Sequence, residues 1–361
     1  MDFYKLPVWH VRKDTRDAVV VEFAVPDELR ETFAFTQGQY LTLRAPLEGE
    51  EQRRSYSICA SPRSGKLRVA IKRVDDGVFS SWAHGSLQAG DVLEVAAPQG
   101  RFFVPLDPAA SRKYLAVAAG SGITPILSLI ETTLEAEPDS TFTLVYGNRS
   151  ASSTMFREEL QHLKDRHLDR LALIFVTSRE RQEIDAFNGR IDRDRMLALC
   201  NGWIDLDSTD YVYLCGPETM MEAVSSVLGE RGFPRDRTIV ERFVTGGRVA
   251  RERRQRAKTQ PEQVAHASVV LDGTVRTFDI RKGSESVLEA GLRHGIDLPF
   301  SCKGGVCSTC RAKLTSGEVD MDVHFALEDY EVRSGVILMC QSHPVTDDVA
   351  LDVDAIAAEL V

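Results

Sequence analysis

Three cysteines crowd into nine residues, Cys302-Lys303-Gly304-Gly305-Val306-Cys307-Ser308-Thr309-Cys310, and a fourth, Cys340, stands thirty residues further on. A C-x4-C-x2-C run with one distant cysteine is the spacing at which four thiolates hold a [2Fe-2S] centre of the plant type. Three thiolates on one tight loop can wrap two irons only if the backbone lies against the sulfides, and Gly304 and Gly305 permit that approach. The fourth must come from another element, and Val336-Ile337-Leu338-Met339-Cys340 reads as a buried strand. A structural zinc site would use two short Cys-x2-Cys arms or Cys/His pairs, whereas Cys340 has only His343 nearby. Disulfides fit less well, because the seven cysteines are odd in number and no secretory segment is expected. Cys302, Cys307, Cys310 and Cys340 are therefore the expected cluster ligands. Such a centre carries one electron at about −400 mV, which leaves open what feeds it.

With 361 residues, 43% of them hydrophobic, the chain is long enough for two or three domains. The start, Met1-Asp2-Phe3-Tyr4-Lys5-Leu6-Pro7, has no basic region followed by an apolar run. The most apolar stretch, Leu115 to Ile130, is broken by Gly120, Gly122 and Pro125, so no membrane span is expected and the cytoplasm is the expected location. A net charge of −10 argues against general nucleic-acid binding. The excess is concentrated in residues 262–361, with 8 Lys and Arg against 17 Asp and Glu. That acidic surface serves either solubility or steering onto a basic partner.

Residues 1–108 read as an all-β barrel: short strands at Val19–Val25, Tyr40–Leu43, Tyr56–Ile58, Leu67–Ile71 and Val92–Val95 are punctuated by Gly, Pro and Asp. One helix interrupts them, with Ser80 or Ser81 as its expected cap. Residues 109–245 alternate strand and helix: strands at Tyr114–Ala118, Thr141–Tyr146, Leu171–Val176 and Tyr211–Leu214, helices from Pro125 and near 155–166, 193–200 and 218–231. Such alternation predicts a parallel sheet covered on both faces. Residues 246–262 lose hydrophobic periodicity and hold Arg248, Arg251, Arg253, Arg254, Arg256 and Lys258 against Glu252, the pattern of a basic linker. Residues 263–361, with an Asp272-Gly273 hairpin turn, form a small mixed domain around the cluster.

Two further motifs suggest anion sites. Gly120-Ser121-Gly122-Ile123-Thr124-Pro125 follows a predicted strand and opens a predicted helix, where a glycine turn can offer helix N–H groups to a pyrophosphate. Thr124 is the expected cap and Pro125 suits the first turn. The next strand ends Tyr146-Gly147-Asn148-Arg149, with no carboxylate for a ribose 2′-hydroxyl, which disfavours NAD. In the first domain Arg54 and Tyr56 of Arg53-Arg54-Ser55-Tyr56-Ser57 share one strand face, a guanidinium for phosphate beside a ring that can stack. Gly77-Val78-Phe79-Ser80-Ser81 supplies another glycine turn into a helix N-terminus. Cys59 and Cys200 read as packing residues, and His162 and His167 as a solvated helix face.

Arg54-Ser55-Tyr56-Ser57, Gly120–Pro125, Cys215-Gly216-Pro217 and Glu241-Arg242-Phe243 occur in the order found in the ferredoxin-NADP reductase superfamily. The chain resembles that superfamily along essentially its whole length, and its tail looks like a fused β-grasp ferredoxin. The resemblance implies FAD in the barrel, with Arg54 on its pyrophosphate, Tyr56 on the isoalloxazine, Ser57 near N5 and residues 77–81 around phosphate. It also implies Cys215 beside the nicotinamide and Phe243 over the flavin face. Ser178-Arg179 match the pair that holds an NADP 2′-phosphate, although the Lys and Tyr that complete that pocket do not obviously recur. NADPH is thus the expected donor, with NADH possible.

By the same resemblance, a hydride passes from NADPH to the flavin and single electrons then pass through the cluster to an external acceptor. Leu298–Cys307 and Leu327-Glu328-Asp329-Tyr330-Glu331-Val332 are similar to reductases that serve phenylacetyl-CoA epoxidases, which implies a multisubunit di-iron oxygenase as partner. Reductases of Rieske oxygenases and steroid hydroxylases share the layout, and a redox sensor without turnover is a reading of another class.

Overall fold

The computed structural model describes residues 1–243 and 263–358; the expected basic linker, 246–262, lies outside the described residues. The chain divides into two compact units, one ending at Phe243 and one C-terminal to it.

The first unit begins with six antiparallel strands: β1 (Phe3–Thr15), β2 (Ala18–Phe23), β3 (Tyr40–Leu47), β4 (Glu50–Ser57), β5 (Leu67–Lys72) and β6 (Val92–Ala96). They lie in the order β4-β3-β6-β1-β2-β5, and an antiparallel bridge from Ile58 to Val69 joins the end of β4 to β5, closing the barrel. β2 is buried on both faces, which is why it reads as an unbroken apolar run rather than an alternating one. Val19, Val21 and Phe23 fill the barrel, while Ala18 and Val20 face the helices and sheet that follow. β1, which the sequence reading missed, alternates in burial only from Lys5 to Trp9, and there exposed Pro7 and Trp9 hide the inward-facing Leu6 and Val8 in an apolar-looking run. α1 (Val78–Gly85) packs against β5. Gly77, not a serine, stands at its start; Ser80 lies inside the helix, accepting from Val74 N and donating to Gly77 O, so the expected serine cap is not formed.

A five-stranded parallel sheet follows, built from β7 (Lys113–Ala119), α2 (Ile123–Ala136), β8 (Thr141–Asn148), α3 (Arg157–Arg166), β9 (Leu171–Thr177), α4 (Arg193–Cys200), β10 (Tyr211–Cys215), α5 (Glu218–Glu230) and β11 (Thr238–Glu241). The strand order is β11-β10-β7-β8-β9. Tyr114, Ala116 and Ala118 of β7 pack into one face's core and Leu115 and Val117 into the other, as a doubly covered sheet requires. α2 starts two residues before Pro125. Thr124 does not cap it: already within the first turn, its hydroxyl donates back to Ser121 O at 3.0 Å.

In the second unit β12 (Val264–Leu271) and β13 (Thr274–Arg281) form a hairpin whose turn, Asp272-Gly273, has φ of 52° and 71°. The primed turn needs that geometry, and Asn, Asp and Gly tolerate it best. α6 (Val287–Arg293), β14 (Arg311–Ser316), β15 (Val319–Met321), α7 (Asp329–Arg333), β16 (Val336–Leu338), β17 (Ser342–Pro344), β18 (Asp348–Asp352) and α8 (Asp354–Ala358) complete it. Its main sheet runs β13-β12-β18-β14-β16, with β12 and β18 parallel. The reciprocal Ser286–Glu289 box caps α6. Cys340 is not in a strand as expected: β16 ends at Leu338, and Cys340 lies in the turn beyond.

Candidate functional site

In the parallel sheet, the chain runs outward from β7 to β8 and β9, then returns to place β10 on β7's other side. The point where strand order reverses opens a crevice at the strands' C-terminal ends. Gly120-Ser121-Gly122 leaves β7 there, and Cys215-Gly216-Pro217 leaves β10 beside it. The two turns interlock. A Cβ on Gly122 would lie 2.0 Å from Cys215 O, and one on Gly216 would lie 2.7 Å from Met220 Cε and 3.1 Å from Ala119 N. Gly120 adopts φ 56°, and its carbonyl accepts from Tyr146 Oη at 2.8 Å. Pro217 immediately precedes α5. Cys215 is fully buried, and burial, then Glu241 opposite on β11, push its thiol well up. It is a neutral, small neighbour here, not a nucleophile.

One residue at this crevice escaped the sequence reading. Lys72, the last residue of β5, brings its Nζ over Gly120, 3.5 Å from where a Cβ would stand. Burial and the nearby charge of Arg149 lower its pKa. In sequence it looks like an ordinary exposed strand end; only the closure of barrel on sheet makes it a neighbour of the glycine turn. At the ends of β8 and β9, Ser178 N donates to Asn148 O and Arg179 N to Arg149 O, setting Arg149 and Arg179 side by side at the surface. Glu180's carboxylate accepts from Ala151 N at 2.6 Å, so it is engaged by backbone. Asn148 Nδ2 is buried with no acceptor.

On the barrel, Arg54 and Tyr56 stand two apart on β4, opposite Leu43 and Leu41 of β3. Arg54 is exposed and donates to Arg53 O and Gln52 Oε1; Ser55 is half-buried and Ser57 buried. Tyr56 packs on Phe79 of α1 with ring centroids 5.7 Å apart, and Phe79 on Trp82 at 5.4 Å. This ladder ties the Tyr56 strand to the Gly77–Ser81 turn. Burial raises the Tyr56 pKa, against the opposing charge of Arg54, keeping a neutral ring. A Cβ on Gly77 would meet Ser80 Oγ at 2.6 Å, so a side chain there would displace the hydroxyl that bonds Val74 N and Gly77 O. Phe243, half-buried, packs against the apolar core shared by barrel and sheet.

In the C-terminal unit the cysteine loop winds through Lys303, Gly305 and Ser308 at φ of 52°, 75° and 53°. A Cβ at Gly305 would meet Val323 Cγ2 at 2.7 Å. Cys310 directly precedes β14 and Cys340 closely follows β16, and these strands pair antiparallel, so both cysteines stand at one sheet end. The four thiols influence one another mainly in two pairs, Cys302 with Cys307 and Cys310 with Cys340. In each pair the neighbouring thiol lowers its partner's pKa against burial, Cys302 acting on Cys307 and Cys310 on Cys340. Backbone N–H groups aim at sulfur as well, Cys302 N to Cys307 Sγ at 3.4 Å and Gly304 N to Cys302 Sγ at 3.3 Å. Gln341 Nε2 reaches both Cys340 Sγ, at 3.5 Å, and Lys303 O, at 3.1 Å, stitching the loop to the distant cysteine. Donors to sulfur favour thiolates, and two thiols per iron is the complement of a [2Fe-2S] cluster. None of the seven cysteines is in a disulfide.

Comparison with known proteins finds three domain families along the chain. Residues 5–104 match the oxidoreductase FAD-binding domain, 116–226 the oxidoreductase NAD-binding domain and 269–345 the 2Fe-2S iron-sulfur cluster binding domain. The chain is 44% identical to one of the subunits of the 1,2-phenylacetyl-CoA epoxidase of Escherichia coli (strain K12), over 98% of each chain. It is 32% identical to the ferredoxin reductase component of 3-ketosteroid-9-alpha-monooxygenase from Rhodococcus rhodochrous, over 96% of each. Phthalate dioxygenase reductase, a modular structure for electron transfer from pyridine nucleotides to [2Fe-2S], superposes with a TM-score of 0.61 at 25% identity, over 97% of this chain and 98% of the other. FAD, a nicotinamide nucleotide and a [2Fe-2S] cluster are therefore the cofactors, and the zinc reading is set aside. Among the described residues no helix is long and apolar enough to cross a membrane.

Proposed function

We propose, from the premise that this chain belongs to the family of flavin- and [2Fe-2S]-dependent reductase components of oxygenases, that it draws electrons from NADPH for a multisubunit di-iron phenylacetyl-CoA epoxidase. Its place is then the cytoplasmic breakdown of phenylacetate. The relative of 44% identity supports this partner over others. The steroid-type relative supports a second reading, an NADH-dependent reductase for a Rieske or steroid oxygenase.

In this reading Arg54, Ser55 and Tyr56 hold the FAD, with Ser57 at its reactive edge and residues Gly77, Val78, Phe79, Ser80 and Ser81 at its phosphates. Gly120, Gly122, Thr124, Pro125, Gly216 and Pro217 shape the nucleotide crevice, with Lys72 and Arg149 offering positive charge to phosphate. Ser178 and Arg179 take the 2′-phosphate, Cys215 borders the nicotinamide, and Phe243 screens the flavin face. Cys302 and Cys307 hold one iron, Cys310 and Cys340 the other. The bound flavin and cluster supply the conversion of an electron pair into single electrons; the chain's own residues bind, orient and exclude water. The observation that carries the reading is the interlocked pair of turns at the switch point, in the same compact unit as the Tyr56 strand.

Anaerobic titration of the purified holoprotein with NADPH, then NADH, followed by absorbance and low-temperature EPR, tests it. Flavin bleaching with a reduced [2Fe-2S] signal is expected, at lower NADPH than NADH in rate measurements. Bleaching without a cluster signal overturns the electron order.

A further inference from the structure

We propose that Glu131 and Ser128 of α2 are positioning residues for hydride transfer, clamping the flavin-side strand to the helix that carries the glycine turn. The inference rests on the function proposed above. Ser57 ends β4, and the chain continues through Ile58, Cys59 and Ala60 to Ser61. That stretch is stiff on its barrel side: Ile58 N donates to Gln39 O at 2.8 Å, Cys59 N to Arg68 O at 3.0 Å, and Arg68 Nε to Cys59 O at 2.8 Å.

On its other side it is bonded to α2 three times. Ser128 Oγ donates to Ala60 O at 2.7 Å, Ser61 N to Glu131 Oε2 at 3.0 Å, and Ser61 Oγ to Glu135 Oε2 at 2.6 Å. Ser128 is fully buried and the Glu131 side chain is 12% exposed. α2 is a rod with nearly every residue buried, and the glycine turn begins it. From Gly122 to Glu131 is about 13 Å along the axis. A shift where α2 meets Ser61 therefore moves the glycine turn relative to Ser57.

Apolar contact alone does not set that register. Barrel and sheet share a core that includes Cys59, Ile126 and Leu127, but apolar burial is non-directional and tolerates sliding. The hydrogen bonds are directional, and Glu131 is held in turn by Arg68, 3.8 Å away on β5, whose second partner is Glu159 of α3. Arg12 of β1 also meets Glu159, at 3.2 Å. With both cofactors bound, a hydride would leave a nicotinamide carbon for a flavin nitrogen as a pair of electrons with one proton, so the chain's task would be to hold the two rings in register. A donor–acceptor misplacement of about 1 Å can cost roughly a hundredfold in rate.

The test is stopped-flow reduction of the holoprotein's flavin by NADPH, without oxygen. Glu131→Ala and Ser128→Ala are expected to lower the limiting rate about tenfold or more while leaving the NADPH Kd within about twofold. Glu131→Gln keeps an acceptor for Ser61 N–H and is expected within about twofold of wild type. Ser128→Ala removes a single oxygen, so the test stands even if Glu131→Ala fails to fold. Alanine variants that reduce at the wild-type rate, a loss confined to Kd, or a glutamine variant as slow as alanine overturns the proposal. Wild-type flavin left oxidised by both nucleotides overturns the underlying function, and this inference with it.

Discussion

Gly122 and Cys215 approach so closely that a Cβ on the glycine would lie 2.0 Å from the cysteine's carbonyl oxygen. The contact joins the loops leaving β7 and β10, so the shape of the nucleotide crevice depends on a missing methyl group. Gly122→Ala must push these loops apart. NADPH-dependent flavin reduction is expected to fall at least tenfold, while dithionite still reduces the flavin; an alanine variant with wild-type NADPH kinetics would refute this role for the contact.

Cys302 lies at the outer edge of the cysteine loop, and Gly304 N points at its sulfur. Cys302→Ser is expected to abolish electron transfer to an oxygenase or to a cytochrome while sparing ferricyanide reduction, which takes electrons directly from the flavin. Equal loss of both activities would sink the order flavin, then cluster.

Arg179 and Arg149 are backbone-bonded neighbours at the sheet edge, with Glu180 engaged elsewhere. Removing a guanidinium from a phosphate costs about 1.5–3 kcal/mol. Arg179→Ala should therefore raise KM for NADPH about tenfold or more and leave KM for NADH nearly unchanged. An unaltered ratio between the two nucleotides would remove the 2′-phosphate from this place.

Glu131 is pushed up to about 7 by burial, with Arg68 opposing and Glu159 adding to the rise. Between its ordinary value of 4.5 and about 7 the folded protein keeps a proton that the unfolded chain has released. Stability from this group is therefore lost as pH rises through that window and is flat above it. Glu131→Gln should flatten the decline, gaining roughly 1–3 kcal/mol at pH 8. Thermal melts of both proteins from pH 5 to pH 8 measure it, and parallel Tm curves would contradict the assignment.

What could be read in the sequence was what chemistry forces into short spacings. Cys302, Cys307 and Cys310 must share one loop, and Gly120 and Gly122 must share one turn, so both stood out. The strand and helix alternation from Tyr114 to Glu230 was equally legible, because a parallel sheet covered on both faces needs apolar strands and amphipathic helices in turn. β1 was not, since its one alternating stretch, Lys5 to Trp9, places Pro7 and Trp9 on the exposed side, and the rest of the strand is mostly partly or fully exposed. Lys72 and the bond from Ser61 to Glu131 were out of reach for another reason: their partners are distant in sequence, and only tertiary closure brings them together. Ser80 and Thr124 looked like helix caps because of their residue type, yet each falls inside its helix and bonds backward.

β10 is inserted between β7 and β11, and Lys113 N at the start of β7 bonds Asp210 97 residues further along the chain. During synthesis β7 can pair with β8 at once, but its other edge, apolar and rich in Tyr, Leu, Ala and Val, has no partner until residue 215 has emerged. Non-local parallel pairing of this kind is slow, and an open strand edge recruits other chains. Nascent or refolding protein is thus most exposed to aggregation over the interval between these two strands. Expression at reduced temperature, where translation slows and apolar association weakens, should raise the yield of the folded reductase.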